Sequence, residues 1–282
     1  MNGFRDLTLR YHPITATPFE RSAAYTELPP CDALKPYIRC FWGTPEPVRS
    51  TGHSEGNHGI VIPDTCMDII FDLDYTCQTV QSCFCTIDEN SYRASGGTEA
   101  SFSSTFAIRF YAWSAVLFAD ETFAGTKNQV FDPDAFFPNL RRELLPMLMS
   151  VTTLSERAEA ASVCLLKRLN LNRLNADLMN AVHDMVVSRG TMRISELSAK
   201  NAVSKKRLER LFNENIGVSP KSFSSLIRYQ MLWQELCFSG KPNILDLVDK
   251  YGYTDQSHLL NEFKKRHSMT PSQAIIFSRK SQ

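Results

Sequence analysis

The last third of this chain repeats itself: Ile194-Ser-Glu-Leu197 to Gly217-Val-Ser-Pro220 is echoed by Ile244-Leu-Asp-Leu247 to Ser268-Met-Thr-Pro271. The offset is 50 residues for Ile194/Ile244, Leu197/Leu247 and Ala202/Gly252, and 51 for Leu208/Leu259, Phe212/Phe263 and Pro220/Pro271, so the second copy holds one extra residue in its turn. Each copy reads as a short helix, a tight turn and a longer helix. Two such units in succession imply a double helix-turn-helix, with two helices able to enter DNA grooves from one rigid body.

In the first copy the pattern predicts a short helix over Ile194 to Lys200, a turn at Asn201-Ala-Val, and Ser204 as N-cap of a helix running from Lys205 to Glu214. Leu208, Leu211 and Phe212 recur at i, i+3, i+4 and face the core, which turns Lys206, Arg207 and Arg210 outward. Ser204, Lys205, Lys206, Arg207 and Arg210 are therefore candidate DNA contacts. Cationic side chains suit phosphate oxygens, and the arginine fork suits guanine N7 and O6. A merely solvated basic face is the competing reading of the same residues.

In the second copy Asn243 and Asp246 form an acidic variant of a capping box, Gly252 occupies the turn, and Asp255 caps a helix from Gln256 to Arg266. Leu259, Leu260 and Phe263 point inward. Gln256, Ser257, His258 and Asn261 remain as polar candidate readers, since amides pair with adenine edges, and Lys264, Lys265 and Arg266 as candidate phosphate clamps. Between the copies, Ser219 to Phe238 reads as one helix, opened by Pro220 and ended before Gly240-Lys-Pro242. As a strut it would set the two readers about 34 Å apart, one per successive major groove. Phe223, Ile227, Met231 and Trp233 are its core candidates.

The preceding half differs in kind. Up to about residue 135 the pattern is β: Met67, Ile69, Phe71 and Leu73 alternate with Asp68, Asp72 and Asp74, and Phe106, Ile108 and Phe110 alternate with Arg109. Gly96-Gly97 supplies a turn between such segments. The fold class is therefore α+β, with a β-rich N-terminal domain, barrel-like or a curved sheet carrying some helices, followed by an all-α double helix-turn-helix. Leu154, Ala158, Ala161, Leu165 and Leu169 stripe an amphipathic helix that packs on its own domain or on a second subunit, and Asn170 to Asn175 reads as a linker. The expected division is 1–171, regulatory and dimerising, and 172–282, DNA-binding.

Charge follows that division. Cut near residue 171, the near-neutral chain (+1) separates into 14 basic and 20 acidic residues before and 17 and 10 after, about −6 and +7. An acidic half joined to a basic one fits a polyanion facing only the second. No apolar run approaches the roughly 18 residues of a membrane span, and Met1 to Asp6 lead into no signal-peptide core, so a cytoplasmic protein away from membranes is expected.

Ile194-Ser-Glu-Leu-Ser198, Ser204-Lys-Lys-Arg-Leu-Glu-Arg-Leu-Phe212, Gly217-Val-Ser-Pro220, Tyr251 to Lys265 and Met269-Thr-Pro271 resemble, in order and spacing, the double helix-turn-helix domain of the AraC family of bacterial transcriptional regulators. Val248 stands where the family has Ala, and Ser268 where it has Gly. The first half resembles more weakly the sensor-like domain of one AraC subgroup, through Pro30 to Ile38, Ile62 to Phe71 and Ile108-Arg-Phe110. The resemblance implies an activator or repressor that binds double-stranded promoter DNA as a homodimer, with RNA polymerase and a small-molecule effector as candidate partners. Arg109 is the candidate effector residue, with an ion pair to Asp68 or Asp72 as the favoured alternative.

Two other functions compete. One is a repair enzyme that joins such a DNA module to cysteine alkyl transfer; it needs about four convergent thiols on zinc, and Cys77, Cys83 and Cys85 find a fourth only in Cys66. The other is a regulator governed by a protein partner. The eight cysteines follow no paired CxxC spacing, and P-loop, dinucleotide and Ser-His-Asp signatures are not evident, so no enzyme, cofactor, metal or catalytic residue is expected.

Overall fold

A computed structural model describes residues 7–14, 25–51, 60–93, 100–239 and 243–280. Met1 to Asp6, the Gly96-Gly97 turn and Gly240-Lys-Pro242 lie outside the described residues. Nine strands are described in the first half: β1 (Thr26–Leu28), β2 (Ile38–Gly43), β3 (Val48–Thr51), β4 (Ile60–Val61), β5 (Cys66–Asp74), β6 (Thr79–Cys85), β7 (Tyr92–Arg93), β8 (Ala100–Tyr111) and β9 (Val130–Phe131). Seven form one antiparallel sheet in the order β1-β2-β8-β5-β6-β9, with β3 also on β8; β4 and β7 form a separate pair. The sheet is open rather than closed into a barrel, since β1 and β9 end it on either side.

The period of two decides which face is buried. Met67, Ile69, Phe71 and Leu73 of β5 share the core with Phe106, Ile108 and Phe110 of β8, while Asp68 and Arg109 face each other on the opposite side. Onto the core face pack the short α1 (Ala112–Ala115), α2 (Pro138–Ser150) and α3 (Leu154–Arg168). α3 opens on a capping box between Thr153 and Glu156, and its stripe Leu154, Ala158, Ala161 and Leu165 is buried within the chain. Val163 and Leu166 of the same helix stay exposed.

The second half holds α4 (Ala176–Val187), α5 (Ile194–Lys200), α6 (Lys205–Ile216), α7 (Pro220–Phe238), α8 (Ile244–Lys250), α9 (Gln256–His267) and α10 (Pro271–Lys280). The caps are those the sequence marks: Ser204 accepts from the Arg207 amide, Ser219 from Ser222, and Asp255 from His258. Both turns use the left-handed region at matching positions, Ala202 at φ 52° and Gly252 at φ 61°.

The expected linker is tied down. The Asn170 amide donates to the Leu117 carbonyl, and Arg173 donates to the carbonyls of Ala119 and Glu121. Beyond it, the apolar core of the sheet runs without interruption into Leu208, Leu211 and Phe212 of α6 and Phe223 of α7, with Trp113 edge-on to Phe223. Gly217 ends α6 at φ 81°, and a Cβ there would come within 2.4 Å of Thr126 Oγ1 and 2.8 Å of the Phe123 carbonyl, so docking of the two halves requires glycine. Ser268 ends α9 in the same conformation at φ 60° but is exposed, which is why the second copy tolerates a side chain there.

Candidate nucleic-acid interface

Each longer helix of the repeat buries one stripe and exposes another. In α6, Leu208, Leu211, Phe212 and Ile216 are buried, and Lys205, Lys206, Arg207 and Arg210 are exposed together with the capping Ser204. Among the described residues Lys205, Lys206 and Arg210 make no ion pair, whereas Arg207 bridges to Asp177 of α4 at 2.7 Å. That pair is about half exposed, and such bridges are worth at most about 1 kcal/mol, so Arg207 is readily released to another anion.

In α9, Leu259 and Phe263 are buried, and Gln256, Ser257, His258, Asn261, Lys264 and Lys265 are exposed. The His258 ring stands edge-on to Tyr253 and approaches Thr254 Oγ1 at 3.3 Å and Glu262 at 3.8 Å. A groove of about 680 Å³ lies between this helix, the strut α7 and residues 190–194, with Arg193, Lys221, Arg228, His258, Asn261 and Lys265 along its walls.

Arg266, expected as a phosphate clamp, is placed differently. It is 9% exposed, donates to Ser225 Oγ at 2.9 Å, and reaches the Glu89 carbonyl of the first half at 3.5 Å. Burial and the nearby Glu262 act on it in opposite senses, and burial prevails, lowering its pKa. The helical period already contained this placement: Leu259, Phe263, Arg266 and His267 recur at i, i+4, i+7 and i+8, the buried stripe of α9.

Three features of this region were missed in the sequence. Arg228 pairs with Glu262 at 2.8 Å and stacks over Tyr253, 4.5 Å from the ring centroid. Glu262 also accepts from Ser225 Oγ at 2.6 Å; burial opposes its charge, but these partners keep its carboxyl below the ordinary value. His267 is wholly buried between Trp233 and Phe263, bonded through Nδ1 to the Tyr229 hydroxyl at 2.7 Å, and burial lowers its pKa to about 4.

Arg109 takes the ion pair that was its favoured alternative, with Asp64 as a further partner. Its side chain is buried and paired with Asp64, with Asp68 at 3.8 Å, while Asp72 accepts instead from Thr105 Oγ1 at 2.6 Å. Burial disfavours its charge, but Asp64 and Asp68 more than offset this. The adjoining cavity is about 30 Å³, and the Arg109 charge is compensated within the chain by Asp64 and Asp68.

Residues 197–275 match the family described as a helix-turn-helix domain, and residues 26–132 match a domain of unknown function, DUF6597. No curated relative matches the chain. Among solved structures, the chain is similar to ToxT from Vibrio cholerae in its P21 crystal form, at 13% identity and TM-score 0.39 over 90% of this chain and 98% of that one. It is similar also to ToxT from Vibrio cholerae O395 bound to (E)-4-(8-methylnaphthalen-1-yl)but-3-enoic acid, at 12% identity and TM-score 0.40 over 90% and 99%.

Proposed function

We propose that this chain, a DNA-binding transcriptional regulator whose C-terminal unit is a helix-turn-helix domain of the AraC type, reads promoter DNA with α6 and α9 in successive major grooves. The observation that carries the reading is the matched pair of faces, one cationic and one polar, exposed by two helices on a common strut. Ser204, Lys205, Lys206, Arg207 and Arg210 contact the first groove, with Arg210 forking to a guanine. Gln256, Ser257, His258 and Asn261 contact the second, and Lys264 and Lys265 hold phosphates beside it. Arg266 is left out, because its guanidinium serves the joint between the two halves. Phosphates between the two grooves lie over the groove of Arg193, Lys221 and Lys265.

The division at 171/172 makes 1–171 the regulatory and dimerising unit. Exposed Val163 and Leu166 on α3 support a homodimer through that helix, which would raise the effective concentration of the second DNA unit at a paired site. A small-molecule effector and RNA polymerase are further partners on the strength of the family resemblance, and the setting is a bacterial cytoplasm. No helix among the described residues is long and apolar enough to cross a membrane. No catalytic step is assigned to the chain.

The test is equilibrium binding of the full chain to duplex DNA across a salt series, after genome-wide mapping has supplied a bound site. Affinity should fall steeply and linearly on a log–log plot. A slope near zero would contradict the phosphate contacts. Sedimentation at micromolar concentration checks the dimer, and a strict monomer with and without DNA would remove it.

A further inference from the structure

The thiols of Cys83 and Cys85 are the part of the molecule that DNA reading leaves unused. They lie two residues apart on β6, so they project from the same face, and their sulfurs are 3.9 Å apart. Both are partly exposed. Cys40, Cys66 and Cys164 are buried, and burial raises the pKa of each thiol. Cys31 and Cys77 are exposed, and no sulfur neighbour is described for either. The small cavity of about 30 Å³ reaches Cys85 and has room for a molecule near the size of water. Among the described residues no three metal-binding side chains converge, so the pair lacks the further ligands of a zinc site.

We propose that Cys83 and Cys85 form a reversible dithiol switch, closed to a disulfide by hydrogen peroxide and opened by thiols. The Cys83 thiolate attacks one peroxide oxygen, the O–O bond breaks, and Cys83 sulfenic acid and hydroxide form, the hydroxide taking up the thiol's proton as water. Cys85 then attacks the Cys83 sulfur, an S–S bond replaces S–O, and a second water leaves. Two thiols are oxidised by two electrons and one peroxide is reduced to two waters. The hydrogen bond between the two thiols favours Cys83 as the attacking sulfur: it lowers the Cys83 pKa and raises that of Cys85.

The geometry makes the bond reversible and gives it a consequence. Alternate residues of a strand sit about 6.5 Å apart at Cα, at the upper end of what a disulfide spans, so closing the bond pulls the strand in and leaves a strained, easily reduced bridge. On one side β9 pairs with β6 at Phe84 and Cys85, and the contact continues beyond the strand: the Thr86 amide donates to the Gln129 carbonyl, the Asn128 amide to the Ile87 carbonyl, and the Glu89 amide to Asn128 Oδ1. Four residues on, Glu89 accepts from Ser222 Oγ at the first turn of the strut, and its carbonyl accepts from Arg266. The Ser91 amide donates to the Arg266 carbonyl at 2.9 Å. In the proposed switch, contraction at Cys83 to Cys85 is passed along this hydrogen-bonded run and loosens the contact that holds the second copy against the sheet.

The test starts from the fully reduced chain treated with hydrogen peroxide, followed by differential alkylation and mass mapping. Cys83 and Cys85 should become protected together, with the loss of two hydrogens, and return with dithiothreitol. Cys85→Ser should stop at a Cys83 sulfenic acid trappable by dimedone, and Cys83→Ser should abolish the disulfide. Hydrogen exchange should show lost protection of the Ser91 amide in the oxidised wild type and none in the Cys83→Ser, Cys85→Ser double variant. A disulfide joining another pair, or both thiols still alkylatable after the oxidant, overturns the switch. Unchanged Ser91 protection in the oxidised protein overturns its coupling to the DNA unit.

Discussion

The two copies of the repeat share a backbone plan but differ in what holds them. The first copy has no core of its own: Leu197, Leu208, Phe212 and Ile216 belong to the cluster that fills the sheet domain. The second has a separate cluster of Trp233, Leu236, Leu247, Tyr251, Leu259 and Phe263, joined from the other half, among the described residues, by Ile60 and Ile62 with Ile14 packed against it. Its link to the sheet is mainly polar, through Glu89, Ser91 and Arg266, with the buried Gln230 amide donating to the Ile14 and Pro63 carbonyls at 2.7 Å. Duplication of a motif therefore does not duplicate its energetics. One copy is continuous with the body of the protein, and the other is docked on it.

Core truncation should show the largest contrast. Phe212→Ala and Phe263→Ala each remove a fully buried ring, at a cost of about 3–5 kcal/mol, but the first loss should be shared by the sheet domain and the second confined to the second copy. Native-state hydrogen exchange checks this by reporting which amides lose protection. If Phe263→Ala opened both copies equally, the comparison would fail.

Acid should separate the copies next. The pKa of His267 is about 4 in the folded protein and near 6.5 when unfolded, so between these values the unfolded state binds the extra proton. The stabilisation is complete above the unfolded pKa and is lost as pH falls toward 4, in total about 3 kcal/mol by the size of the shift. The first copy, Ile194 to Ile216, contains no histidine. Exchange measured from pH 7 to 4.5 should thus show the second copy losing protection ahead of the first, and parallel loss would refute the assignment.

DNA recognition should differ between the reader faces. Arg210→Ala should cost roughly 1–3 kcal/mol on the preferred site and relax the preference at one base, whereas Lys265→Ala should weaken all sequences about equally and reduce the salt slope. A changed base preference in the lysine variant would reverse the roles of reader and clamp.

The smallest effect sharpens the comparison of the turns. Ala202 holds a positive φ that alanine adopts at a cost, so Ala202→Gly should stabilise by about 0.5–1 kcal/mol. Gly252→Ala should destabilise by about 1 kcal/mol through the backbone alone, because the added Cβ would meet only Thr191, at an ordinary 3.5 Å. Thermal melts of the two variants shifting in the same direction would show that the turns are not equivalent.

Much of the interface was legible because it depends on local rules. Ser204 and Asp255 cap the helices they mark, Leu208 and Leu259 fall on the buried stripes, and the basic face of α6 is exposed where the helical period puts it. The β pattern of Met67 to Asp74 likewise sorted core from non-core residues, since strand geometry alternates them. Periodicity says which side chains turn inward but not what they meet.

The rest required the assembled chain. That Arg109 takes Asp64 rather than Asp72 depends on a loop brought alongside β8, and Arg157 of α3, wholly buried, finds its partners in Ser104 and Tyr75 across the core. The helical period puts Arg266 on the buried stripe of α9, but its partners, Glu89 of the sheet domain and Ser225 of the strut, come only with the assembled chain. The sequence by itself determined the repeat, its caps and the sign of its exposed faces, because those follow from bonds and spacings within a few residues. Tertiary structure alone decided which charges are spent inside the molecule, because a buried charge is stable only beside a partner that chain neighbours do not reveal.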